Sequence, residues 1–151
     1  SRAKLTLPRD LTSFYTPSEK YDTINGKQDK GNIGYTLSRK DPDRSIYVNI
    51  CTDSSDTLEE AIVFHNEHLS EGEEPFTEYT LGEYSGYRSK SYTNYWNSAN
   101  DTTYRYKLNY PVGDKNVILS CSVKLRDDSD DTTGLEDILL AALQQLKVEI
   151  K

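Results

Sequence analysis

Apolar and polar residues alternate along much of the second half of this chain, and turn residues break the alternation at short intervals. Residues 76–125 divide in this way into four runs, which predicts a continuous antiparallel meander: strands over 77–81, 87–95, 103–110 and 116–125. Gly82, the Ser85-Gly86 pair, a loop over 97–101 and a turn over 111–114 separate them. A regular final hairpin pairs Tyr110 with Lys115, Leu108 with Val117, Tyr106 with Leu119 and Tyr104 with Cys121. Tyr104, Tyr106 and Leu108 then share an apolar face with Val117, Leu119, Cys121 and Val123. Arg105, Lys107, Asn109, Ser120 and Ser122 occupy the opposite face.

The first half is less regular. Residues 3–7 alternate and stop at Pro8, as a short edge strand does. Residues 11–31 are rich in Pro, Gly, Asp and Lys without periodicity, so they read as a long surface loop pinned by Phe14, Tyr15, Tyr21 and Ile24. A strand over 32–38 places Ile33, Tyr35 and Leu37 on one face. After the KDPD turn at 40–43, a strand over 44–52 carries sizeable residues on both sides and is expected at the centre of a sheet. Asp56 followed by Glu59 forms a capping-box pattern ahead of a helix whose apolar stripe is Leu58, Ala61, Ile62, His65 and Leu69, with Phe64 beside it. Thr133 and Glu136 open a second helix with the stripe Leu135, Ile138, Leu139, Ala142, Leu143 and Leu146. The KVEI segment at 147–150 either prolongs that helix or adds a short strand. The class expected is α+β: an antiparallel sheet of about six to seven strands with two main helices packed on it, in a single domain over 1–151.

Composition changes this picture in two respects. Hydrophobic residues make up 34% of the chain and mean hydropathy is -0.79, so the core is expected to be thin. Twelve Tyr against three Phe and one Trp suggest that it leans on rings that keep a hydroxyl near water. The formal charge of -7 argues against general binding to nucleic-acid phosphates or to an anionic membrane surface. No run reaches transmembrane length and no signal peptide is visible. Since methionine is absent, a trimmed or mature form of an exported protein is expected, with any leader or lipid anchor removed.

The order of elements, with the LTLP opening, the helix after TDSSDTLEE, the LGEYSGY run and the closing GLEDILLAALQQLKVEI, resembles the PsbP-like superfamily. That family includes the photosystem II extrinsic protein, a Ran-GTPase release factor and exported bacterial lipoproteins of unassigned function. The resemblance spans nearly the whole chain and is one of pattern, without a short signature motif. It implies an antiparallel sheet covered by helices and a non-catalytic accessory role. The expectation that follows is an extracytoplasmic, monomeric binding module of the cell envelope. Its partner would be an unknown protein or an anionic cell-wall component, without cofactors or nucleic acid. A small-molecule or metal-binding domain is the alternative, and an unrecognised hydrolase ranks last.

Candidate chemistry is sparse. His65 and His68 stand at i, i+3, whereas the zincin helix needs i, i+4, so a boundary histidine and an exposed one are the simpler reading. The DDSDD segment at 127–131 lacks the glycine and the distal glutamate of a calcium loop. Cys51 and Cys121 read first as small apolar residues; a disulfide would need both on one face of neighbouring strands. No nucleophile elbow or glycine-rich phosphate loop appears. The unusual feature is basic residues in an acidic protein. Arg88, Lys90, Tyr92 and Trp96 share one parity, and Arg105 and Lys107 share another. If their strands pair suitably, these six form a basic, aromatic recognition surface; the plainer reading is a solvated sheet face.

Overall fold

The computed structural model describes residues 3–7, 21–29, 31–39, 45–94, 100–126 and 134–150. Among these residues the fold consists of two helices, a seven-stranded antiparallel sheet and a separate two-stranded sheet. The elements are β1 (Ala3–Thr6), β2 (Tyr21–Asp29), β3 (Asn32–Arg39), β4 (Ser45–Thr52), α1 (Leu58–Glu67), β5 (Thr77–Leu81), β6 (Tyr84–Asn94), β7 (Asn100–Val112), β8 (Lys115–Arg126), α2 (Leu135–Gln145) and β9 (Lys147–Ile150). The large sheet runs β2-β3-β4-β8-β7-β6-β5, and β1 pairs with β9. The expected α+β class is the observed one. The KDPD turn, the 127–131 segment, Thr133, Tyr95 and Trp96 lie outside the described residues, as does the whole 11–20 stretch.

The meander is present, with its turns displaced. Leu81 pairs with Tyr84 across a two-residue turn at Gly82, whose φ of 59° is natural only for glycine; Ser85 and Gly86 are strand residues instead. The last hairpin turns tightly at Gly113 and Asp114, so Tyr110 pairs with Val117, Leu108 with Leu119 and Tyr106 with Cys121. The expected register was off by two residues, because Pro111 and Val112 stay in the strand. β6 pairs with β7 only as far as Leu108, so the missing proline N–H leaves no gap in that ladder. An even slip preserves parity, and the two faces therefore come out as expected.

Two segments differ more, and a third takes one of the two forms expected for it. Tyr21–Asp29 is a strand paired with β3, where a loop was expected; it is an edge strand, and its described residues are mostly exposed, which hides any hydrophobic period. Asn100 and Asp101 begin β7 where the 97–101 loop was expected. Lys147–Ile150 is a strand, because the chain leaves α2 at Leu146 in an extended conformation and pairs with β1.

Packing follows the parity. Ile33, Tyr35, Leu37, Ile46, Val48, Ile50, Tyr106, Leu108, Leu119, Val123 and Leu125 are buried on one face. α2 lies on that face through Leu135, Leu139, Ala142 and Leu143, with Leu5 and Leu7 of the β1 segment in the same core. Each fully buried leucine contributes about 2 kcal/mol. The tyrosines explain how so polar a chain makes this core: their rings pack inward and their hydroxyls meet the backbone of α2. Tyr35 donates to Ile138 O at 3.2 Å, and the Tyr110 hydroxyl lies 2.8 Å from Leu143 O and 3.0 Å from Leu146 O. The latter two carbonyls belong to the helix end, where no following turn supplies N–H donors; Leu143 O also accepts from Leu146 N at 3.3 Å. Tyr84 stacks on Tyr110 at 5.1 Å.

α1 lies near β7 and buries Ala61, while Leu58 and Ile62 are half-buried and His65 and Leu69 are exposed. Its cap is one residue later than expected: Thr57 Oγ accepts from Glu60 N, and Glu60 reaches back to Asp56 N. α2 begins at Gly134 without a side-chain cap, and Glu136 serves the sheet instead of a capping box.

Candidate functional site

The pairing of β6 with β7 decides where the basic residues go. Arg88 faces Tyr106 and Lys90 faces Tyr104, while Arg105 faces Ser89 and Lys107 faces Tyr87. Because neighbours across strands share a face, Arg88, Lys90 and Tyr92 lie on the α2 side, and Arg105 and Lys107 lie on the other. The single patch expected from the sequence is therefore divided into two groups. The two parities belong to opposite faces of the paired strands, which the sequence pattern alone did not fix.

On the α2 side Arg88 is engaged. Its guanidinium donates to Glu136 Oε1 at 2.7 Å and lies 4.0 Å from the centre of the Tyr79 ring. Tyr79 and Tyr106 also donate to Glu136. Burial pushes this carboxyl up, but the Tyr106, Tyr79 and Arg88 hydrogen bonds outweigh it and hold the group below the usual range. Glu136 thereby ties the first turn of α2 to β5, β6 and β7. Lys90 is exposed with its Nζ 5.8 Å from the Tyr104 ring, and Tyr92 is 41% exposed.

The opposite face holds a different kind of arrangement. Lys107 Nζ meets Asp53 Oδ2 at 2.8 Å and Ser120 Oγ at 2.9 Å, and both ionic side chains are nearly buried. Burial raises the Asp53 carboxyl; hydrogen bonds from Lys107 and Ser55 more than compensate and leave it below the ordinary range. Beyond α1, the face opens into a polar cleft of about 370 Å³. β4 supplies Tyr47 and Asn49, β8 supplies Ser122 and Lys124, β7 supplies Asp101, Thr103 and Arg105, and β6 supplies Ser91. Ser70, Glu71 and Glu73 form its remaining wall.

That wall is a strap across β6. Glu74 N donates to Lys90 O at 2.9 Å, and Tyr92 N donates to Gly72 O at 3.2 Å. A side chain at Gly72 would bring its Cβ within 2.6 Å of Tyr92 O, so glycine is what allows the strap to lie this close. The strap brings Glu73 to Arg105 at 3.5 Å, and Arg105 also donates to Ser91 Oγ at 3.2 Å. Under the cleft, the Asp101 side chain is 2% exposed. Its oxygens meet Lys124 Nζ at 2.9 Å and Arg126 Nε at 3.4 Å, as ion pairs without aligned hydrogen-bond geometry.

Lys107 Nζ is shared between Ser120 Oγ and the Asp53 carboxylate, so its contacts are those of a hydrogen-bonded ion pair. Cys51 donates to Ser120 O, and its thiol is pushed up chiefly by burial. Cys51 faces Ser120 while Cys121 faces Ile50, so the two cysteines project from opposite faces and are free thiols. His65 meets the Phe76 ring and His68 stacks on Phe64, so the two imidazoles are drawn to different partners. Among the described residues no group of three or more His, Cys, Asp or Glu side chains is placed to hold a metal ion.

Several residues of the cleft were not expected from the sequence. Asp101 was assigned to a loop, although its shared parity with Thr103 and Arg105 is a signal that the strand extends that far. Tyr47 and Asn49 were read only as the second side of a central strand. Glu73 left no local signal, because its approach to Arg105 depends on the strap.

No family model matches the chain, and a comparison with curated proteins finds no match. Among solved structures, the chain is similar to the crystal structure of LpqN, involved in cell envelope biogenesis of Mycobacterium tuberculosis. The two are 14% identical, the alignment covers 98% of this chain and 92% of that one, and the TM-score is 0.43. Among the described residues no helix is long and apolar enough to cross a membrane.

Proposed function

We propose that this protein is a non-catalytic binding module of the cell envelope, acting outside the cytoplasm, with the polar cleft beside the strap as its recognition surface. The observation that carries the reading is the state of the cleft's side chains. Asp101, Lys124, Arg105 and Glu73 hold one another in place, so a ligand meets groups that are already oriented. The same pairings engage these charged groups with one another, which favours binding over turnover. The PsbP-like pattern of the chain supports the exported setting. The test is co-sedimentation of the full chain with isolated envelope material. Binding that weakens by about tenfold in Arg105→Ser is expected, as for a central interface contact. Failure to bind any envelope fraction would remove the proposal.

A further inference from the structure

The cleft is the closed end of a longer feature. Following the register across the sheet from β2, one polar row runs Lys27, Gly34, Asn49, Ser122, Arg105. Beside it runs a second row: Asn25, Thr36, Tyr47, Lys124, Thr103. Each of these residues is exposed or half-buried. The rows cross five strands, and four steps of about 4.8 Å give a lane about 19 Å long. At the β7 end the strap closes it, where Ser89 is buried with its hydroxyl donating to Glu74 O. Over Gly34 lies the Asn49 side chain: a Cβ at Gly34 would stand 2.9 Å from Asn49 Oδ1.

Taking the binding-module reading as its basis, we infer that this lane holds a linear, uncharged glycan chain, laid across the strands with one end against the strap. Three observations select that occupant. First, hydrogen-bonding groups recur at the inter-strand spacing, a step comparable to the advance of a pyranose chain per ring. Second, the cations of the closed end already have carboxylate neighbours, Lys124 with Asp101 and Arg105 with Glu73, and Glu71 adds a further negative charge to the wall. An anionic chain would have to displace those carboxylates, whereas hydroxyl and amide groups can bond to them as they stand. Third, the half-exposed Tyr47 lies mid-lane between Thr36 and Lys124, an aromatic ring that can stack on an apolar sugar face.

The test is calorimetric titration of the full chain with N-acetylglucosamine and glucose oligomers of increasing length. Affinity should rise by about tenfold from disaccharide to tetrasaccharide and then level off as the lane fills. It should be nearly independent of salt, since no counter-charge is neutralised. Tyr47→Ala should weaken the tetrasaccharide by about tenfold. Asn49→Lys, an exposed change that preserves the fold, should do the same by blocking the lane. Oligomers that fail to bind, or that bind without dependence on length or on Tyr47 and Asn49, overturn the inference. If the protein sediments with envelope material but binds only polyanions in a salt-sensitive way, the binding-module reading stands and the glycan lane falls. If it sediments with no envelope fraction, the reading itself falls.

Discussion

Strand β8 gives Val117, Leu119, Cys121, Val123 and Leu125 to one face of the sheet and Ser120, Ser122 and Lys124 to the other. The first set is buried and closed by α2, and its tyrosine hydroxyls end on helix carbonyls and on Glu136. On the side of the second set α1 lies against β7, and Ser122 and Lys124 line the cleft. On the α2 face, polar atoms secure the packing of one element on another. On the cleft face they are paired with each other, with Asp101 and the Lys107–Asp53 pair nearly buried and Arg105, Glu73 and Lys124 partly exposed. A single alternating pattern thus makes a packed layer and the layer proposed here for recognition. Substitutions at adjacent positions of one strand should therefore separate stability from binding.

The largest effect is expected in the closed face. Leu139→Ala empties a fully buried position in α2 and should cost about 3 kcal/mol by chemical denaturation. Binding to envelope material should persist at temperatures where the variant is folded. A comparable loss belongs to one site on the other face. Lys107→Met strands the Asp53 carboxylate at low exposure and should cost about 3 kcal/mol, with Lys107→Met/Asp53→Asn recovering much of it. Recovery would show that this pair is structural and not part of the recognition surface.

Acid titration compares the faces directly. Glu136 and Asp53 both have carboxyls held below their ordinary range in the folded state. The unfolded chain therefore takes up their protons first as pH falls. Their stabilisation is complete above the unfolded values of about 4 and disappears as pH drops through the lower folded ones. Thermal melts should show stability declining below about pH 4.5, and Glu136→Gln should flatten that decline by removing the contribution of the α2 face. The smallest stability effect is expected from Arg105→Ser. Its pair with Glu73 is partly exposed, so less than about 1 kcal/mol should be lost while binding weakens.

The sequence revealed the sheet and its two faces because parity survives the errors that turn positions introduce. Misplacing the last turn moved every partner by two residues and left every side chain on its correct face. β2 escaped notice because an exposed edge strand has little apolar period to show. The basic patch was misjudged for the opposite reason. Arg88 and Arg105 each have a clear alternation, but whether two strands present them together depends on the β6–β7 register, which no local pattern encodes. The cleft depended further on Glu73 reaching Arg105 across a strap that Gly72 permits.

The most direct test of the account compares two paired variants in co-sedimentation with isolated envelope material: Tyr47→Ser/Arg105→Ser on the cleft face and Lys90→Ser/Tyr92→Ser on the α2 face. The account predicts that the first pair loses about tenfold or more in affinity and the second stays near the unmodified protein. Loss confined to the second pair would contradict it and place recognition on the exposed rim of the α2 face.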